Sequence, residues 1–401
     1  MNILQLCSKV PNPPKDGGAV AMDILTKGLI GHGAGVKVLA LSTYKHPFDE
    51  NKISADYLAK TNIEAVFVDT RPKPVKAFLN LFSNESYNMS RFYSKEVDSK
   101  LTDVLKSNSF DVIQLETLFV APYVNTIRKY SKAKIVLRSQ NIEYKIWEQR
   151  TANTNNPILK FYYGLLARRL KVYELRMLNN YDGIAAITPE DTEGFRKLGC
   201  TKPLVSIPFG IDISSIKTDT TIKEEFPSCF HLGAMNWGPN IEGVKWLLDN
   251  VWEKVTALQP DIKLYLAGRY MPEWLNKLDK KNIEVVGEVK SQFEFMQSKG
   301  IMLVPLLSGG GMRIKIIEGM ATGKTIISTS LGAEGVPYEH KKNILIANTP
   351  EEFADRINLC VNDPGLYRSI GKNSQQLVNE HFDNNKICRN LLDFYEQLLR
   401  S

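Results

Sequence analysis

Short β-branched runs alternate with helical patterns along nearly the whole chain, and the alternation occurs twice. That rhythm marks parallel sheets, because a parallel strand pair needs a crossover long enough to hold a helix. In the first half it predicts strands at Ile3–Cys7, Val36–Leu41, Ala65–Val68, Val112–Leu115, Lys134–Leu137 and Gly183–Ile187. The run PLVSIPFGIDISSIKTDTTIKEEFPS, rich in prolines and polar residues, then interrupts the pattern. A second set follows at Cys229–Leu232, Lys263–Ala267, Ile283–Val286, Ile301–Val304 and Thr325–Ser328, and the tail from Pro350 to Arg400 reads as helix throughout. The expectation is an α/β protein with two doubly wound, Rossmann-like domains at residues 1–207 and 228–380. A linker joins them at 208–227, and a terminal helix, 381–401, is free to pack back on the N-terminal domain. Ligands of such sheets sit beyond the carboxyl ends of the strands. With two facing domains, the interdomain cleft is the natural site.

The bulk properties narrow the class. A chain of 401 residues is too long for one ordinary domain. No apolar run approaches the roughly 20 residues that span a bilayer. The opening MNILQLCSKVPNPP has neither a basic leader nor a small-residue cleavage site, so it reads as a first strand. Five scattered cysteines without a CxxC pair suit reduced thiols in a cytosol, and five histidines without close spacing argue against a metal centre. The net charge of +7 is uneven: residues 1–215 hold 29 Lys/Arg against 21 Asp/Glu, a balance of +8, leaving −1 for the rest. A basic first half suits nucleic acid, an anionic membrane or phosphorylated substrates, or is simply a solvated surface. Within it KFYYGLLARRLKVYELR, residues 160–176, is amphipathic and basic. It reads either as a domain helix with a wet face or as an interfacial helix leaning on anionic lipid.

One short stretch imitates a nucleotide-triphosphate site. EGMATGKTIIST, residues 318–329, ends like a P-loop, but Glu318 stands where the first glycine belongs. The order of elements is also reversed, since a helix over Met312–Ala321 runs into a strand. Gly323 then caps the helix and Lys324 is a cation at its negative end. Chemistry belongs at the other end of that helix. In VPLLSGGGMRIKIIEGM a strand closes at Pro305, three glycines follow, and the helix opens. Unhindered N–H groups at a helix N-terminus make an anion site, and glycine lets a phosphate come close. Arg313 in the first turn would oppose the helix dipole unless an anion sits nearby, and Lys315 and Glu318 follow on the same helix.

These residues carry a resemblance. SGGGMRIKIIEGMATGKTIISTSLGAEGV closely resembles the donor-site signature of glycosyltransferase family 4, the "glycosyl transferases group 1" proteins, which have the GT-B fold. HLGAMNWGPNIEGVKWLLDNVW is similar to the opening of that family's second domain, LYLAGR to its next strand, and VSIPFGID to its interdomain stretch. PNPPKDGGAVAMDILTKGL resembles the glycine loop after the first strand, and LRSQNIEYKIWEQR a later N-domain segment.

The resemblance implies a GT-B enzyme that moves a hexosyl group from a nucleotide sugar to a saccharide or lipid-linked acceptor in polysaccharide or glycolipid assembly. It implies a retaining, metal-independent reaction with no cofactor and no nucleic-acid partner, in the cytoplasm or at the inner face of the plasma membrane. Glu318 matches the glutamate that grips the donor ribose. Its usual companion would stand at position 310, which is glycine. The cation pair expected in GAMNWGPN is missing, so Arg313, Lys315 or Arg269 must neutralise the diphosphate. Arg313, Lys315 and Glu318 are the implied catalytic residues. Gly17, Gly18, Gly233, Arg269, Ser308, Gly309, Gly310, Gly311 and Met312 complete the donor site. Gln140, Asn141 and Glu143 fall where relatives carry a histidine-containing stretch; glutamine binds a hydroxyl but shuttles no proton. Glu116 and Arg138 end predicted strands and are candidates for the acceptor side of the cleft. Two other readings of the same residues are a non-catalytic donor-binding partner of another transferase and a GT-B nucleotide-sugar epimerase.

Overall fold

The computed structural model describes residues 1–400 except 214, 215, 217, 218 and 220. It contains two compact units, one of Met1–Gly210 together with the segment from Asn384 onward, the other of Ile211–Asp383. Part of the expected linker falls on residues outside that description. The described part differs from expectation at its far end, and the proline-rich run opens with a strand of the first unit. Leu204–Ser206 is a strand, and residues 225–227 already belong to the next one, Glu225–Leu232.

In the first unit seven parallel strands run β1 Asn2–Cys7, β2 Gly35–Ser42, β3 Glu64–Phe67, β4 Val112–Glu116, β5 Lys134–Ser139, β6 Gly183–Ala186 and β7 Leu204–Ser206. Their spatial order is β3-β2-β1-β4-β5-β6-β7. In the second unit, β8 Glu225–Leu232, β9 Lys263–Ala267, β10 Ile283–Gly287, β11 Lys299–Val304, β12 Ile326–Ser328 and β13 Leu345–Ile346 take the order β10-β9-β8-β11-β12-β13. Every expected strand is present. The two that the pattern missed, β7 and β13, have three and two residues, too few to display a period. In both sheets the order reverses beside the first strand, between β1 and β4 and between β8 and β11. Loops that leave those neighbours in opposite directions open a crevice at the carboxyl edge.

The expected continuous helical tail is three helices, Pro350–Asn362, Pro364–His381 and Asn384–Arg400. Pro364 has no N–H to continue the preceding helix, and Asp363 caps the new one by accepting from the Leu366 N–H at 2.9 Å. The last helix belongs to the first unit. Ile387, Cys388, Leu391, Phe394, Tyr395 and Leu398 recur at helical spacing and are buried with Ile3, Met22, Leu25, Leu29 and Val38 on one face of the first sheet. Gly28 permits this approach, since a Cβ there would stand 2.3 Å from Asn384 Nδ2 and from Cys388 Sγ. A second cluster, built from Leu4, Leu6, Leu39, Leu115, Leu137 and Phe195 among others, covers the opposite face.

Leu391, fully buried in that cluster, gives a direct check. Leu391→Ala should lower unfolding free energy by about 2–5 kcal/mol, read as a reduced denaturant midpoint of the first unit's transition.

Candidate active site

β11 is buried from Gly300 to Val304 and delivers the glycine loop to the carboxyl edge of the second sheet, beside the loop that follows β8. Gly309 and Gly311 hold φ of +93° and +84°, the left-handed region that glycine enters without penalty. The helix begins at Ile314 rather than Met312 and runs to Ala321. Arg313 is therefore its N-cap, outside the first turn where the sequence placed it. The positive-φ glycines turn the chain late, and the Arg313 Nη1 folds back to donate to the carbonyls of Gly310 and Gly311. No side chain caps this helix. The Ile316 N–H donates to the Arg313 carbonyl at 3.0 Å, and this helix start holds no capping hydroxyl or carboxylate to compete with an incoming anion.

The cations here are poorly neutralised. Arg313 is 7% exposed, and its Nε and Nη2 have no hydrogen-bond partner. Its guanidinium lies 5.3 Å from the Trp237 ring centroid. Burial lowers its pKa, and Glu334 is the carboxylate that partly offsets this. Glu334 itself accepts from the Gly311 N–H at 3.1 Å. Lys315 Nζ donates to Asn240 Oδ1 at 2.9 Å, while Asn240 Nδ2 donates to the Ala234 carbonyl at 2.9 Å. Burial of its ammonium, and secondarily Arg313, push Lys315 down to about 7. Nearby, His231 is fully buried with Nδ1 3.0 Å from the Leu303 carbonyl and Nε2 unpartnered. Because a carbonyl only accepts, Nδ1 carries the proton. Burial first, then Lys315, hold the ring neutral. Among the described residues no carboxylate stands at ion-pair distance from Arg313 or Lys315.

The other expected donor residues are placed as follows. Gly233 packs under Asn240, where a Cβ would meet Nδ2 at 2.7 Å. Ser308 Oγ donates to Glu242 and Met312 packs near Gly335. Arg269 is exposed just beyond β9; its carbonyl accepts from the Met235 N–H at 2.9 Å, and no side-chain contact joins it to Arg313 or Lys315. Glu318 is partly buried and accepts from Gln292 Nε2 at 2.8 Å. Burial raises its pKa and that bond opposes the rise. Since the helix starts at Ile314, Glu318 lies four residues into it, about 6 Å along the axis.

In the first unit the glycine loop after β1 is already occupied. Asp16 caps the helix Gly17–Gly31, accepting from the Ala19 N–H at 3.0 Å, and also holds Lys9 and His46 Nε2, each at 2.9 Å. Gln140 Oε1 lies 3.1 Å from where a Cβ on Gly18 would stand, so Lys9, Gly18 and Gln140 do meet. The carbonyl of Asn141 accepts from Ser139 Oγ at 2.8 Å. Glu143 is buried, and burial followed by the Glu174 carboxyl raises it to about 8, leaving it largely protonated at neutral pH. Glu174 caps the helix Glu143–Ala152 by accepting from the Glu143 and Tyr144 N–H groups, both at 3.1 Å. Glu116 and Arg138 need correction as acceptor candidates. They are 1% and 3% exposed and belong to an internal network. Gln114 Nε2 donates to Glu116, the Tyr395 hydroxyl donates to Gln114 Oε1, and Arg138 donates to the carbonyls of Ile207 and Pro208 at 2.6 and 3.1 Å. Strand-end position predicted exposure, but the terminal helix and the chain after β7 cover these side chains.

Residues 227–363, which carry the glycine loop, Arg313, Lys315 and Glu318, match the family model described as glycosyl transferases group 1. The chain is a glycosyltransferase. The transferase is similar over nearly its full length to an uncharacterized 44.6 kDa protein of a cps region in Klebsiella pneumoniae. The two are 24% identical across 96% of this chain and 97% of that one. An uncharacterized glycosyltransferase of Methanocaldococcus jannaschii is 25% identical over 47% of this chain and 50% of its own. Among solved structures it is similar to sucrose-phosphate synthase of Thermosynechococcus elongatus, with a TM-score of 0.70, 15% identity and 100% coverage of both chains. It is also similar to HepE of Anabaena in complex with UDP and glucose, with a TM-score of 0.65, 14% identity, and coverage of 99% of this chain and 100% of that one. The fold class is GT-B, as two parallel doubly wound sheets indicate.

Several side chains around the transferase's cations had no sequence signal of their own. Trp237 comes from the loop after β8, Asn240 from the first turn of the helix Gly238–Trp246 that the loop leads into, Glu334 from GAEG beyond β12, and Gln292 from a helix start. Only the quoted GAMNWGPN and SLGAEGV stretches hinted at the first three. Gly323 takes φ +72° just past the helix end, as a C-terminal glycine should. Lys324, however, serves a different helix: its Nζ pairs with Glu224 at 2.6 Å and donates to the carbonyls of Lys299 and Gln297 at 2.6 and 3.3 Å. Lys324→Ala should therefore cost about 1–3 kcal/mol of stability while leaving nucleotide affinity, measured by calorimetry, within twofold of wild type.

Proposed function

We propose that this transferase, a family 4 member of its group, moves a hexosyl group from a nucleoside diphosphate sugar to a saccharide or lipid-linked acceptor in polysaccharide or glycolipid assembly. The observation that carries this reading is the pair of buried Arg313 and half-buried Lys315 at an uncapped helix start, with no carboxylate among the described residues at ion-pair distance. Buried cations are costly unless a counter-charge is present, and a diphosphate is a counter-charge of the right size and sign. The UDP and glucose in the HepE complex support a donor of this class.

In this reading the diphosphate lies against Ser308 to Met312. Arg313 leaves the Gly310 and Gly311 carbonyls for the phosphates, and the Gly311 N–H exchanges the Glu334 carboxylate for a phosphate oxygen. Lys315, held by Asn240, completes the neutralisation. As the bond between the sugar's anomeric carbon and the phosphate oxygen breaks, negative charge grows on the leaving diphosphate. Fixed N–H groups and cations aimed at that charge lower the barrier. The departing phosphate oxygen takes the acceptor hydroxyl's proton on the face it vacates, which gives retention without a protein base. Arg313 and Lys315 supply the positive charge, so the reaction needs no metal ion. Glu318 turns from Gln292 to the ribose hydroxyls, which a carboxylate binds with charge-assisted hydrogen bonds.

Three measurements test this. Replacing both Arg313 and Lys315 by alanine should weaken binding of UDP-glucose or another nucleotide sugar at least tenfold, since each charge-assisted bond contributes roughly 1.5–3 kcal/mol. Unchanged affinity would move the phosphate site elsewhere. Glu318→Gln should fold normally but lose most transfer activity, with a smaller penalty for a 2′,3′-dideoxy donor than for the natural one. Equal penalties would remove Glu318 from the ribose.

The third concerns pH. Lys315 titrates near 7 in the free protein, and a bound diphosphate favours its charged form, so binding takes up a proton above that pH. Affinity for a nucleotide sugar, whose diphosphate stays ionised throughout, should be highest below pH 7. It should fall by up to about tenfold per unit above it. Of the titratable groups facing Lys315, Arg313 stays charged and His231 stays neutral across that range, and Lys315→Arg should flatten the profile.

A further inference from the structure

The helix Pro74–Asn80 in the first unit faces the wrong way for a packing helix. Val75, Phe78, Leu79 and Phe82 recur at i, i+3, i+4 and i+7, the spacing of one helical face, yet they are 71%, 60%, 62% and 80% exposed. An amphipathic helix ordinarily docks by such a stripe. This one is held by its backbone instead. Arg169, on the long helix Pro157–Met177, donates from Nη1 to the Asn80 carbonyl at 2.7 Å and to Asn80 Oδ1 at 3.0 Å. Its Nη2 donates to the Leu81 carbonyl at 3.0 Å. At the other end the Lys73 N–H donates to the Tyr87 hydroxyl at 2.8 Å. The polar clamp fixes the segment and leaves the apolar stripe outside, with Phe78 and Phe82 edge to face at 5.6 Å.

The charge around the stripe selects its occupant. Residues 69–84 hold three basic residues against one acid, Asp69, which pairs with Arg71 and Lys73. Residues 148–173, which include most of the clamping helix, hold five against one, Glu148, which pairs with Lys171. The same helix exposes Ile158 and Phe161 near its start and Arg168 further along. A second copy of this chain would bring like charge against like charge. A surface that is negative outside and apolar beneath satisfies both features, and an anionic lipid bilayer has that structure.

We propose that the Val75–Phe82 stripe is a wedge that inserts into the headgroup boundary of an anionic membrane, clamped by Arg169 and flanked by Arg71, Lys73 and the basic residues of 148–173. The basic, amphipathic 160–176 run acts as the support of the wedge rather than as the inserting element.

Co-sedimentation of the full chain with phosphatidylcholine vesicles, with and without phosphatidylglycerol, tests this. No sugar donor is present, so the result is independent of the donor reading. Wild type should bind the anionic vesicles, less so as salt rises, and the Phe78→Glu/Phe82→Glu variant should bind at least tenfold more weakly. Thermal melting should be unchanged, as both side chains face solvent; if the glutamates disturb folding, Phe78→Ser/Phe82→Ser replaces them. Absence of wild-type binding, or equal binding by a folded double variant, overturns the proposal. So does a dimer in sedimentation velocity that the double variant dissociates without any vesicle binding, which would make a second copy the occupant.

Discussion

Parallel strand pairing is the constraint from which most else follows. Each strand must be re-entered from the same end, so every connection crosses a face of the sheet, and both faces must be covered with helices. The covering explains why strand segments such as Ile3–Cys7 and Ile301–Val304 are buried along their whole length instead of alternating. It also sends all carboxyl-end loops to one edge. At the order reversal beside β8, the connection that carries Trp237 and the helix start with Asn240 meets the loop containing Gly309 to Arg313, since the two leave adjacent strands. The candidate site is a consequence of that topology before any side chain is considered.

Within the site, the deciding balance is electrostatic. Two cations and a neutral buried imidazole share a region where Glu334, the carboxylate that offsets the burial of Arg313, already accepts from a loop N–H. Arg313 meets part of its demand by turning onto backbone carbonyls, an arrangement that leaves Nε and Nη2 without partners. The cost of such unpaired donors is what an incoming dianion removes. The same principle explains the opposite outcome in the first unit. There Asp16 satisfies Lys9, His46 and a helix start together, which holds its carboxyl far below the usual range. One loop is closed by its own carboxylate; the other is left short of one.

The exposed stripe at 75–82 and the buried pair Glu116 and Arg138 reverse the expectations that sequence position invites. Apolar residues at helical spacing normally go inside, and polar residues at strand ends normally reach solvent. Arg169 reverses the first by gripping carbonyls of its neighbour. Tyr395 and the carbonyls of Ile207 and Pro208 reverse the second by supplying internal partners. In each case a contact made across tens or hundreds of residues outweighs a local pattern.

The α/β alternation, eleven of the thirteen described strands, and the glycine loop with its flanking Arg313, Lys315 and Glu318 were legible in the order of residues alone. These signals are local: side-chain period, β-branching and glycine spacing are all legible within a few residues. Tertiary structure decided that the helix opens at Ile314, that Asn240, Trp237 and Glu334 surround the cations, and that Gln292 holds Glu318. It also decided that the last helix completes the core of the first unit, where Gly28 lets Asn384 and Cys388 approach. No local window contains both members of those pairs, so their energies exist only once the chain has folded.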